Sequence, residues 1–182
     1  DGDPAIAGYS TYQMVVDLPP TSSTVYTIYG TDQAVATVPG GYQAPAPFGA
    51  NTGGVNPQFF AFMPLARYDS WLTVGLTSGD AKNEIGSVGI PFDHWTEHEG
   101  IRFDNGACFW MDPEHGPSLD DPVVVAQLTT VTGDEASVTL NVQGKRLTNG
   151  DSALDTAWEA RALQFTLFGP EAAPSAPKLT PR

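Results

Sequence analysis

The sequence predicts an all-β fold, an antiparallel two-sheet sandwich of jelly-roll type with about nine or ten strands and few helical turns. Three observations carry that prediction. Short apolar segments recur with a two-residue period. Turn formers are dense, with 19 Gly and 16 Pro, too many for a helical bundle. Hydrophobic residues make up 41 % and aromatics 10 % of 182 residues, enough for a sizeable core in one domain.

The elements follow in order. Residues 9–18 form the first strand, with Tyr12, Met14, Val16 and Leu18 alternating with Gln13, Val15 and Asp17. Pro19-Pro20 ends it, because neither ring donates to a ladder. Residues 24–30 and 33–38 read as two strands joined in a hairpin by Gly30-Thr31-Asp32. Residues 39–57 are a loop crowded with Gly and Pro, of a length that is usually functional, packed on the surface or docked on a neighbour. Strands are expected next at 58–63, 70–76, 86–90 and 107–111. A hairpin follows, made of residues 122–131, a Gly133-Asp134 turn and residues 136–144. In its return strand Val138, Leu140 and Val142 point one way; Ser137, Thr139, Asn141 and Gln143 point the other. A last strand covers 162–168. Helical turns are expected only at 94–99 and 152–157. The domain therefore spans 1–168, and the Pro/Ala-rich tail 169–182 lacks core periodicity and reads as an extended segment.

Charge narrows the partners. Only 16 % of residues are charged, yet the net charge is −13, which repels phosphate backbones and anionic lipid. Nucleic acid is not an expected partner, and no apolar run has the length of a membrane span. Copies of so acidic a chain can meet only across locally neutral or complementary patches. The chain opens at Asp1 without a leader and reads as a mature, processed form. Cys108 is the single cysteine, and no Asn lies in an N-x-S/T pattern; both lean away from an oxidising, glycosylating route.

Chemistry-bearing residues are few. His94, Glu97 and His98 have a spacing that could put two imidazoles on one helical face, but without the full zinc-protease arrangement, and Trp95 beside them points to packing. Asp112, Glu114 and His115 follow an apolar strand and could do acid–base work; Asp-Pro and Gly-Pro are also ordinary turn chemistry, the more common use. Asp104, Asp120, Asp121, Asp134 and Glu135 add carboxylates without calcium-loop spacing, so weak divalent-cation binding is the most they imply. Cys108, between apolar neighbours, reads as a small buried residue. No nucleophile elbow, phosphate loop or dinucleotide fingerprint occurs. Neither catalysis nor a cofactor is expected. Trp71 and Trp110 read as core; Tyr42 and Phe48, in the long loop, read as exposed anchors.

The ordered set of residues 69–75 (DSWLTVG), 85–90 (IGSVGI), 105–117 (NGACFWMDPEHGP) and 123–128 (VVVAQL) resembles a β-domain of marine algae that includes the pyrenoid shell proteins of diatoms and their relatives. The likeness spans roughly residues 24–145 and rests on Asp69, Trp71, Asn105, Gly106, Phe109, Trp110, Asp112, Pro113, Gly116 and Pro117. The motif set occurs once. The resemblance implies a non-enzymatic protein that assembles with itself into a sheet, shell or filament at the pyrenoid periphery in the chloroplast stroma. The alternative is a β-sandwich module, secreted or displayed on a cell surface, that binds glycan or protein. Assembly contacts are expected at Tyr42 and Phe48 and along the tail at Pro170, Pro174, Pro177, Lys178, Leu179 and Arg182, since a Pro-rich segment can cover a groove or edge on the next copy.

Overall fold

The computed structural model shows ten strands in two antiparallel sheets, as the sequence predicts, with apolar side chains of both sheets buried in one core. It describes residues 6–18, 22, 24–112, 122–146 and 157–167. The smaller sheet has the order β1 (Tyr9–Val16), β8 (Val123–Val131), β4 (Trp71–Leu72). The larger sheet contains β2 (Thr27–Gly30), β3 (Ala36–Val38), β5 (Ile85–Val88), β6 (Ile101–Phe103), β7 (Gly106–Trp110), β9 (Ala136–Lys145) and β10 (Ala157–Leu167).

Register reduces the larger sheet to five ranks. Val142 pairs with Ala160 of β10 on one edge and Ile28 of β2 on the other; Thr139 pairs with Gln164 and with Thr37 of β3 in the same way. So β2 and β3 share one edge of β9 and act as one interrupted strand. Beyond them β7 pairs with β2, β6 with β3, and β5 closes the sheet against β7. Gly30-Thr31-Asp32 therefore does not make a hairpin. The chain leaves the ladder, turns at the Thr31↔Ala34 bridge and re-enters the same line.

A second expected hairpin is also corrected. The Gly133 turn, at φ +93°, is present, but β8 and β9 lie in different sheets. Val123, Val125 and Leu128 of β8 and Val138, Leu140 and Val142 of β9 are buried in one core cluster with Met14, Ile28 and Cys108. Turn chemistry brings two strands close; which groups bury then decides whether they pair or pack face to face.

Residues 58–63 are not a strand. Asn56 accepts the Gln58 amide through Oδ1, Pro57 takes the first position, and Pro57–Ala61 forms a 3₁₀ turn, followed by another at Pro64–Tyr68. The turn expected at 94–99 is a short 3₁₀ segment at Phe92–His94. Ala157, expected in a helical turn, opens β10; residues 152–156 lie outside the described residues. The strand expected at 70–76 is regular only at β4, although Thr73 and Gly75 still donate to the Val125 and Val124 carbonyls.

The long loop folds onto its own domain. Ala44, Val55 and Ala66 form a second small core, with Tyr42, Phe48, Ala50, Phe60 and Met63 packed against it.

Candidate assembly surface

Of the residues that resemble the shell-type motif, Asp69, Trp71, Asn105 and Gly106 act first as scaffold. Asp69 is fully buried after the second 3₁₀ turn, and its Oδ1 and Oδ2 accept the Ala44 and Ala50 amides at 2.7 and 2.6 Å. One carboxylate thus pins both ends of the loop's middle stretch. Burial pushes its pKa up to about 6, against the opposing pull of those amides and that of Ser70. Trp71 is buried beside Gln127, whose amide donates to the Arg67 and Asp69 carbonyls at 3.0 and 2.8 Å. Asn105 and Gly106 lie against Gly89, whose φ of +66° brings the two backbones too close for a side chain at 89.

Strand β7 divides its residues between two faces. Cys108 is buried and Trp110 packs on the core, as expected; burial pushes the Cys108 thiol up to about 12. Phe109 is half-buried on the opposite face. There Met111 and Phe109 lie over Gly86, where a side chain would collide with both. Val88 falls on that face too, two residues along β5, so the outer surface carries an apolar strip in which Val88 is 62 % and Met111 60 % exposed.

Tyr42 and Phe48 are corrected from exposed anchors to half-buried supports of the second core. Exposed aromatic groups stand instead just after the loop, at Phe59 and, at 78 %, Phe62. Phe48 meets Phe59 edge-on, with centroids 5.8 Å apart and planes at 84°. Both line an open pocket of about 310 Å³ with Thr52, Asn56 and Asp80. Asp80 is occupied, accepting the Glu84 and Ile85 amides at 2.7 and 2.9 Å.

The two histidines proposed as metal ligands do not converge. His94 and His98 are exposed, and the helical turn ends at His94, so they share no helical face. Glu97 accepts a hydrogen bond from Tyr9 Oη, and Trp95 is buried, its indole donating to the Pro39 carbonyl at 3.0 Å. Among the described residues no group of three or more His, Cys, Asp or Glu side chains could hold a metal ion. Asp112 is the one described residue of the three expected in the acid–base turn; Pro113, Glu114, His115, Gly116, Pro117, Asp120 and Asp121 lie outside the described residues. So do Pro170, Pro174, Pro177, Lys178, Leu179 and Arg182 of the tail. No helix among the described residues is long and apolar enough to cross a membrane.

No family model, curated protein or solved structure matches the chain. The site is therefore read from its own geometry. Sequence reasoning missed Val88 and Met111 as exposed, although strict alternation along GACFWM already puts Phe109 and Met111 opposite Cys108 and Trp110. Phe59 and Phe62 escape it because an apolar run at 59–63 fits a strand as well as a 3₁₀ turn.

Proposed function

We propose that this chain is a non-enzymatic building block whose copies assemble into a sheet, shell or filament. The observation that carries the reading is the Val88–Met111 strip: large apolar groups held outward over Gly86 on a chain of net charge −13. Water-exposed apolar area at a fixed place favours burial against another surface, and an uncharged strip is where acidic copies can approach. The likeness to pyrenoid-shell domains makes a layer around a chloroplast condensate the natural setting. The tail, from Pro170 to Arg182, remains a proposed second contact.

A second reading has one observation behind it. The pocket between Phe48 and Phe59, with polar groups from Thr52 and Asn56, suits a small ligand of a surface-displayed binding module.

Light scattering on the full chain across a concentration series tests the first reading. The expected mass climbs well above the 19.3 kDa of one copy. The V88E/M111E double variant is expected to weaken that association at least roughly tenfold, because each contact would bury a carboxylate. Removing residues 170–182 tests the tail in the same assay. A wild-type protein that stays at one copy, while a glycan array returns a reproducible ligand, sinks the building-block reading and favours the binder.

A further inference from the structure

The strand ends of the two sheets are not treated alike. The outer side of β4 is covered, since Leu72 donates to the Asn51 carbonyl at 3.0 Å and accepts from Gly53 at 2.9 Å. The outer side of β5 starts with an amide, that of Ile85, already taken by the Asp80 carboxylate, and the strand has only four residues. β6 has three residues and carries the Arg102–Asp104 ion pair at 2.9 Å. β10 is broken by a bulge between Ala160 and Leu163 and carries the Glu159–Arg161 pair at 3.0 Å. Covering, shortness, charge and bulges are the devices that keep sheet edges from pairing with other chains.

β1 is guarded by none of these over Ser10–Met14, since the irregularity in its ladder with β8 falls past that stretch, between Met14 and Val15. Its eight residues, YSTYQMVV, contain no charge, Pro or Gly, and among the described residues its only ladder partner is β8. The Thr132 amide donates to the Gly8 carbonyl, so pair 8/132 is hydrogen-bonded and alternation makes 10/130 and 12/128 bonded as well. Thr11 and Gln13 consequently turn their backbone N–H and C=O groups away from β8.

We propose that β1 is a docking edge for β1 of a second copy, paired antiparallel about a twofold axis through Tyr12. This rests on the self-assembly reading for its partner and on β1 alone for its surface. The register is self-complementary: Thr11 falls opposite Gln13 of the second copy, and Ser10 opposite Met14. The outward backbone groups of Thr11 and Gln13 then bond each other, and both core faces stay on one side of the joined sheet. The side chains match too. Within one copy Gln13 Nε2 donates to Gln127 Oε1 at 3.1 Å, and the Thr11 and Thr129 hydroxyls are 2.7 Å apart. Pairing extends this polar row from one β8 to the other. A strand without charge is also where two chains of net charge −13 repel least. The result is a six-stranded sheet, β4-β8-β1 joined to its symmetry mate, and a closed dimer that the outer strip can link onward.

Sedimentation velocity in the V88E/M111E background isolates this edge. That chain is expected to form a dimer of two 19.3 kDa copies. Adding T11K/Q13K sets like charges opposite each other twice and should weaken dimerisation at least roughly tenfold, even though it lowers the overall negative charge. T11K/Q13E instead sets opposite charges across the axis and should restore the dimer; a thermal melt of each variant confirms a folded chain. The proposal is overturned if the background chain is monomeric, if T11K/Q13K leaves the dimer intact, or if T11K/Q13E fails to restore it. Wild-type assembly persisting through any of those outcomes leaves the building-block reading in place.

Discussion

At Asp69 a buried carboxylate is spent on holding the loop, and its titration couples loop packing to pH. The folded-state pKa of about 6 lies above the ordinary value of 3.8. The folded protein therefore binds this proton more tightly than the unfolded chain does. The contribution is present in full below about pH 4 and is lost as pH rises through 6, with a span of roughly 3 kcal/mol at most. Asp69→Asn removes that dependence and turns an amide N–H toward a backbone N–H. Urea unfolding of both proteins at pH 4, 5, 6 and 7 should show a flatter profile for the variant between 4 and 6. Parallel profiles would mean that Asp69 does not titrate there. Asn141 is a second kind of buried polar anchor, uncharged and fully enclosed. Its Nδ2 donates to the Tyr29 and Ala34 carbonyls at 2.9 and 2.8 Å, and its Oδ1 accepts the Ala162 amide at 2.9 Å. One side chain thus fills the break between β2 and β3 and the bulge of β10 at once. Asn141→Ala leaves buried groups unpaired on both sides and should cost about 2–4 kcal/mol in urea unfolding. A loss below about 0.5 kcal/mol would show that water replaces the amide.

Among the elements, β10 shows how a local irregularity protects an edge. Ala162 sits at φ +52°, a conformation that L-residues other than Asn and Asp avoid. Ala162→Gly should therefore stabilise by up to about 1 kcal/mol, where Ala→Gly in an ordinary strand destabilises. A thermal shift downward would mean that the bulge is not strained. Legibility also divides by element. β1 and β9 were readable because one face is buried and the other is not, so alternation shows directly in the residues. Asn56-Pro57 was a readable helix-start signal that the apolar run Phe59–Met63 obscured, since five apolar residues fit either period. The separation of β8 from β9, the sharing of one β9 edge by β2 and β3, and the burial of Asn141 were not readable. Each depends on strands far away in sequence, and Asn141 looked like one more residue of a polar face until β10 and the β2/β3 break enclosed it. The candidate surface was half legible: the motif found β7, but the exposed side chains on it needed the neighbouring glycine of β5 to be placed.

For the whole molecule, charge opposes the approach of a second copy. With net charge −13 on 182 residues, approach is opposed over tens of ångströms in dilute buffer. Raising salt from roughly 10 to 150 mM shortens the screening distance from about 30 to about 8 Å. Association through uncharged surfaces should then strengthen, which light scattering at the two salt levels would register as a higher mass. A fall in mass with added salt would point instead to contacts made by ion pairs. Charged side chains stand on the β6 and β10 edges, while β1 and the Val88–Met111 strip carry none, which is why the proposed contacts are placed there.

The lone thiol of Cys108 gives the molecule a built-in chemical clock. Sealed on the core face of the large sheet and reluctant to ionise, it can meet a maleimide only when β7 parts from its neighbours. Labelling speed therefore measures how often the sandwich breathes, and subunits that merely dock and undock would leave that tempo unchanged.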